Sequence, residues 1–197
     1  MKFANNLKQL LKNNALDNIA AFCNNTTMIN EIKGNLLNFP AGINVAAHSA
    51  NCQNTMGSGI ALQVRQRFPK AWEADCRAAE VGGNRLGNIS HAFTSPKGTL
   101  AKGAKAIFNL YTQDGFGANG RFVNYEAFYV ALEKMVEKLK SYEDMSNGEW
   151  IPHVGVPRYI SADRAGGSWN VIKAMLIDVF AKNELSLTIV EFDPNQA

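Results

Sequence analysis

The sequence predicts an α/β layered domain built on a largely parallel sheet. Three observations lead there. Six apolar runs of strand length occur near residues 28–33, 43–47, 88–93, 105–111, 152–156 and 186–192. Three longer stretches, 59–79, 124–140 and 168–183, carry apolar residues at helical spacing and fall between those runs. Glycine-bearing turns join two of the strands to the helices that follow them. Alternation of this kind suits parallel strands, because each crossover needs a helix's length of chain.

Taken in order, the chain opens with Phe3, Leu7, Leu10, Leu11, Ile19 and Phe22, spaced as an amphipathic helix. This predicts an N-terminal helical extension over 1–27, ahead of one domain over 28–197. In "LGNISHAF", Ile89, His91 and Phe93 alternate with small or polar residues, the mark of a half-buried strand. "AIFNLY" and "LTIVEF" read as strands buried on both faces. Phe128, Leu132, Met135 and Leu139 step by four, three and four along the second helix. "SYEDMSNGE" (141–149) is polar and reads as a surface loop. Trp169, Ile172, Leu176, Val179 and Phe180 mark the last helix, with Ser168 as its N-cap after Gly166-Gly167.

Composition excludes several classes. With 197 residues, 46% hydrophobic and 19% charged, the chain can bury a core and is not disordered. A formal charge of +3 suits an anionic ligand. The short basic run "KGTLAKGAK" lacks interleaved aromatics, so nucleic acid is not the expected partner. Three cysteines, Cys23, Cys52 and Cys76, without C-x-x-C spacing, fit reduced thiols and a cytoplasmic protein. The N-terminal stretch has no continuous apolar segment, so neither signal peptide nor membrane span is expected. His48, His91 and His153 are dispersed, and no metal site or other cofactor is expected. His91 reads as a core histidine.

The chemistry concentrates in "HSANCQNTMGSGIALQVRQRF" (48–68). Gly57-Ser58-Gly59 separates a strand end from a helix start. Amides there are unpaired within the helix and carry partial positive charge, and glycine admits a diphosphate close to the main chain. No Lys-Ser/Thr follows the glycines and the third glycine of G-x-G-x-x-G is missing, so neither a Walker A loop nor a dinucleotide fingerprint is present. A second strand-to-helix junction, "RYISADRAGGSWNV" (158–171), offers Gly166-Gly167-Ser168 as further amide donors. Two such junctions on one sheet edge make a cleft for an extended nucleotide. A third segment, 109–128, with Gly115, Phe116, Gly117 and Gly120, reads either as a flap over the same mouth or as a solvent loop.

With these residues in view, the chain resembles a macro domain, most closely the branch that holds stand-alone ADP-ribose 1''-phosphate phosphatases. The resemblance rests on "EIKGNLL" (31–37), "HSANCQNTMGSGIALQVRQRFP" (48–69), "NLYTQDGFG" (109–117), "VNYEAF" (123–128) and "GVPRYISADRAGGSW" (155–169). It implies a three-layer α/β/α fold with a mixed, largely parallel six-stranded sheet. It also implies binding of ADP-ribose derivatives, free or carried on macromolecules. Gly34 and Asn35 fall at the family's adenine turn, where many members have aspartate. Asn51 falls where a side chain approaches the distal ribose. Gly57, Ser58, Gly59 and Ile60 correspond to the first phosphate loop. Ser161, Ala162, Arg164, Ala165 and Gly166 correspond to the second, where Asp163 departs from the small residues usual there and must point outward or pair with Arg164. Phe116 is placed to cover the distal ribose, and Phe192 either stacks on adenine or packs in the core.

The same resemblance implies hydrolysis of the terminal phosphate of ADP-ribose 1''-phosphate. His48 matches a histidine of the phosphatase-type members, and an imidazole can pass a proton near neutral pH. Asp114 and Asp163 are the candidates for a second catalytic group, each equally readable as a solvated loop carboxylate. Two alternatives stand beside this reading. One is a reader that binds ADP-ribose without turnover. The other is an ADP-ribosyl glycohydrolase, although the loop lysine of that branch is replaced here by Ser58.

Overall fold

The computed structural model describes residues 29–95, 100–117 and 120–196. The helix expected over 1–27 lies outside the described residues. Six strands form one sheet: β1 (Ile29–Gly34), β2 (Val45–Asn51), β3 (Ile89–Phe93), β4 (Ala106–Gln113), β5 (His153–Pro157) and β6 (Ser186–Phe192). Their order across the sheet is β1-β6-β5-β2-β4-β3. Every pairing is parallel except β3 with β4, which closes one edge antiparallel. The expected mixed, largely parallel sheet is therefore observed.

The described helices are α1 (Gly59–Arg67), α2 (Pro69–Glu80), α3 (Tyr125–Met145) and α4 (Trp169–Lys182). They cover both faces of the sheet. On one face Val45, Phe108, Leu110, Val156 and Ile189 meet Phe128, Leu132 and Met135 of α3 and Ile172 and Leu176 of α4. On the other, Ala46, Ile107 and Val190 meet Val64 of α1 and Ala71 of α2. Each fully buried large aliphatic or aromatic side chain contributes about 1.5–3 kcal/mol, so both faces must be covered for the central strands to hold. Gly155 lets the β1–β2 connection press onto β5: a Cβ there would sit 2.5 Å from Leu36 and 2.7 Å from Ile43.

Two boundaries differ from those the periodicity predicts. The stretch 59–79 is not one helix. Pro69 has no N–H and disfavours helical geometry in the residue before it, so Phe68 takes φ −131°, ψ 70° and separates α1 from α2. Helix α3 runs to Met145, through half of the segment read as a loop. Tyr142 is the reason: its ring packs against His91, Phe93 and Trp150 with centroids 5.6, 5.2 and 6.3 Å away. Asn124 starts α3 by accepting from the Ala127 amide at 2.9 Å. Ser168 stands at the head of α4 but makes no side-chain cap bond.

His91 sits half-buried on β3, stacked on Phe108 at 4.7 Å with Nε2 2.6 Å from the Tyr142 hydroxyl. Burial lowers its pKa from 6.5 to about 4, with Lys138 adding to the shift. Burial lowers His48 and His153 as well. His91 therefore holds its proton less tightly in the folded chain than in the unfolded one. The His91 contribution is complete above pH 6.5 and is lost as pH falls from there toward 4, because the unfolded chain takes up the proton first. The melting temperature is expected to decline steadily from pH 7 to pH 4.5, and His91→Gln to flatten that decline. A melting temperature constant over this range would contradict the assignment.

Candidate functional site

Strands β2 and β5 are parallel neighbours, yet the helices that follow them lie on opposite faces of the sheet. Their C-terminal ends therefore open a crevice at the point where the strand order reverses. A cleft of 890 Å³ occupies it. From the first loop, Asn51 and Gly57 through Ile60 line its wall; from the second, Ser161 and Asp163 through Gly166 do so; Phe116 reaches in from the third. The three segments that the sequence brings forward thus meet in one place. Ala162 and Asp114 are outside the lining.

The first loop keeps its donors open. Ser58 is extended at the head of α1 and makes no side-chain cap bond, so the first-turn amides face the cleft without a capping oxygen. Gly59 has φ +57°, a left-handed conformation in which a side chain is strained. Asn51 spends its side chain on shaping the loop: Oδ1 accepts from the Gln53 amide and Nδ2 donates to Thr55 Oγ1, both at 2.9 Å. Arg164 crosses from the second loop and lies over Gly59, where a Cβ would come within 3.3 Å of its Nε. Neither Arg164 nor Asp163 forms an ion pair among the described residues, and both are exposed at the cleft.

The second loop corrects the expectation that Gly166-Gly167-Ser168 supplies amide donors. The Gly166 amide donates to Asp163 O at 3.2 Å, that of Gly167 to Ser161 O at 3.0 Å, and that of Ser168 to the Tyr125 hydroxyl at 2.8 Å. These glycines serve close packing instead. A Cβ on Gly166 would lie 2.7 Å from Gly120 O, and one on Gly167 would lie 2.6 Å from Ser161 O. Between Ser161 and Gly166 the amides of Ser161, Arg164 and Ala165 have no partner among the described residues. Ser161 holds φ +56° and Tyr159 φ +63°. The Ser161 hydroxyl bonds to Ser49 of β2 and, at 3.1 Å, to Thr112 of β4, which fixes the strained turn to the sheet.

His48 is not at the cleft, which corrects its expected role as a group facing ligand. It is 1% exposed, on the sheet face covered by α1 and α2, with Nε2 2.8 Å from Asn109 Oδ1 and Nδ1 3.0 Å from Ser49 O. Asn109 commits Nδ2 to Ala71 O and Ser90 Oγ. Its oxygen therefore faces the ring, and His48 Nε2 donates. Asp114 lies beside the cleft with its carboxylate 3.4 Å from Gln53 Nε2. Asn35 is buried and caps the next turn, accepting from the Leu37 amide at 3.0 Å. Gly34 and Phe192 pair in register at the far ends of β1 and β6, and Phe192 is 54% exposed, outside the core.

No model of a known protein family matches the chain. An uncharacterized 17.5 kDa protein of Enterobacteria phage T4 is 34% identical over 172 residues, covering 85% of this chain and 98% of that protein. An ADP-ribose 1''-phosphate phosphatase of Scheffersomyces stipitis is 30% identical over 127 residues, 59% of this chain and 72% of that protein. The solved macrodomain of Mycobacterium tuberculosis DarG superposes with a TM-score of 0.65 at 22% identity, covering 83% of this chain and 97% of that one. The chain belongs to the macrodomain family. A DNA ADP-ribosyl glycohydrolase of Mycobacterium tuberculosis is 28% identical over 156 residues, and this macrodomain spans 39% of its length.

Sequence reasoning missed three residues of this macrodomain that lie beneath the cleft: Asp75, Arg85 and Tyr111. Asp75 is 1% exposed and Arg85 8%, and the two form an ion pair. Tyr111 donates to Asp75 Oδ1 at 2.7 Å. Nothing in "EADCRAAE" distinguishes Asp75 from a solvated helical carboxylate; only the tertiary fold brings Arg85 to it. Among the described residues no three His, Cys, Asp or Glu cluster as metal ligands.

Because Gly167 packs against a carbonyl, Gly167→Ala is expected to destabilise this macrodomain by about 1–3 kcal/mol, read as a lower melting temperature. Gly57→Ala serves as the control, since Gly57 like Gly167 lies outside the left-handed region and a Cβ there comes no closer than 3.9 Å to Thr55 O. Equal losses in the two variants would remove the packing argument.

Proposed function

We propose that this macrodomain binds ADP-ribose in the cleft and hydrolyses the terminal phosphate of ADP-ribose 1''-phosphate. The observation that carries the reading is the uncapped N-terminus of α1 with the Arg164 guanidinium laid over Gly59. Two positive groups converge there with no carboxylate partner among the described residues, an arrangement that an anion stabilises. The diphosphate is read as lying between the loops. The name of the Scheffersomyces stipitis relative supports the substrate.

In this reading water attacks the terminal phosphorus, the bond to the C1'' oxygen breaks, and that oxygen leaves as the hydroxyl of ADP-ribose with inorganic phosphate as the second product. Catalysis of such a transfer is mostly positioning and charge stabilisation. Arg164 and the α1 amides hold charge, and Asp163 takes a proton from the attacking water. His48, enclosed behind the cleft, acts as a structural hydrogen-bonding residue.

A second reading is an ADP-ribosyl glycohydrolase, favoured by the name of the Mycobacterium tuberculosis relative. No lysine lines the cleft among the described residues, which argues against a Schiff-base route. Calorimetry with ADP-ribose, phosphate release from its 1''-phosphate, and ADP-ribose release from ADP-ribosylated DNA separate the cases. Binding without either turnover makes the protein a reader.

Asp163→Ala is expected to slow phosphate release about 100-fold while ADP-ribose affinity stays within a fewfold. His48→Ala is expected to lose about 1–3 kcal/mol of stability from its broken buried hydrogen bond, with phosphate release per folded molecule reduced less than 10-fold. The opposite ranking of the two rates would return the proton-transfer role to His48.

A further inference from the structure

Beneath the cleft a chain of hydrogen bonds runs in one direction. Asn109 Nδ2 donates to Ser90 Oγ at 2.9 Å. Ser90 and the Tyr111 hydroxyl are 2.7 Å apart, and Tyr111 donates onward to Asp75 Oδ1. Burial pushes the Tyr111 phenol up to about 12, which keeps it a donor. Arg85 approaches from the other side, donating to Asp75 Oδ1 and to Asp75 O, with its second amino group on Cys52 O at 3.2 Å. Its face rests 4.0 Å from the Tyr111 ring.

Two of these donors, the Tyr111 hydroxyl and Arg85 Nη2, reach the Asp75 carboxylate, and both end on Oδ1. Oδ2 has no partner among the described residues and is not sealed from solvent, while Asp75 itself lines the cleft. The carboxylate is thus locked in orientation by two donors and turns its second oxygen to the cleft floor. The residue is only 1% exposed, so a ligand group that meets Oδ2 does so at the foot of the cleft. A carboxylate held by an arginine is an acceptor only, and it repels anions. What it selects is a hydroxyl donor.

We propose that Asp75 is a specificity-determining residue that accepts a hydrogen bond at Oδ2 from a hydroxyl of the ligand's second ribose. The inference rests on the ADP-ribose reading and names the part of that ligand the floor recognises. Position supports the second ribose over the first. With the diphosphate read as lying between the loops of β2 and β5, Tyr111 on β4 puts Asp75 on the side of the phosphates away from β6, where the exposed Phe192 ring offers a face for the base, so the sugar that reaches Asp75 is the distal one.

The test compares ADP-ribose with ADP, which lacks the distal ribose, by calorimetry on the wild-type chain and on Asp75→Asn. Asp75→Asn is expected to weaken ADP-ribose at least 10-fold and to leave ADP within twofold. Equal losses for both ligands, or no loss for either, overturn the proposal, since a merely structural role would not discriminate between them. Deoxy analogues of the distal ribose, offered to the wild-type chain, keep the test independent of whether the variant folds. One of the 2''- and 3''-deoxy compounds should bind at least 10-fold more weakly, and wild-type affinity for both refutes the assignment. A wild-type chain that binds neither ADP nor ADP-ribose refutes the underlying reading instead, an outcome distinct from binding without discrimination.

Discussion

The parallel contact between β2 and β5 is the constraint on which the rest depends. Both strands are buried on both faces, so the chain leaving each must turn at once to cover the sheet. One turn delivers α1 and α2 to one face, and the other delivers α4 to the opposite face. Divergence leaves a gap between the two turns that no side chain of the sheet can fill. The cleft is therefore a consequence of topology before it is a consequence of any motif. Residues 57–59 and 158–167 decorate a gap that the strand order creates.

The two walls of that gap are stabilised by different means. The first loop is shaped by its own side chains: Asn51 folds back on Gln53 and Thr55, and Arg65 reaches Thr55 O at 3.3 Å. The second carries backbone strain at Tyr159 and Ser161, of order 1–3 kcal/mol each. It is held by hydroxyl contacts to β2 and β4 and by the Tyr159–Trp169 ring contact at 5.3 Å. The amides of Phe122 and Val123 both donate to Ala165 O, at 2.9 and 3.1 Å, which brings the third segment against the second. Phe122 then packs under Gly117, where a Cβ would meet the ring at 2.8 Å. The flap and the second loop thus form one packed unit, and Phe116 is carried on it at 59% exposure.

The six strands were legible because apolar runs of the right length have few other uses between glycine turns. The break at Phe68 was missed by the periodicity, which runs on through 59–79, although Pro69 cannot continue a helix begun at Gly59. The continuation of α3 to Met145 was not legible, because Tyr142 becomes an anchor only when β3 brings His91 and Phe93 beneath it. Gly166 and Gly167 illustrate a different difficulty. A glycine pair after a strand reads equally as a phosphate loop or as a close approach of chains, and only the position of Gly120 and Ser161 decides for the second. His48 shows the limit of motif reasoning about faces. It follows Ala46 by two residues and so shares its α1/α2-facing side of the strand. That parity, visible in the sequence, already separates it from the loop that follows Asn51.

Charge in the cleft is divided by depth, and the division constrains what can occupy it. At the rim, main-chain donors and Arg164 converge, and Asp163 is exposed beside them. At the floor, a carboxylate is fixed by Tyr111 and Arg85. Burying an ion pair under a cleft costs desolvation that its attraction does not fully return. Apolar residues of similar volume would fill the same space with less penalty, so stability alone does not account for Asp75 and Arg85. Orientation does: the pair also holds Cys52 O, at the start of the first loop. Breaking it would release the floor and one wall together. An occupant must therefore present anionic oxygens at the rim and a hydrogen-bond donor below them, with both on one rigid fragment. A phosphorylated sugar has that pattern, whereas inorganic phosphate or a free sugar satisfies only one level.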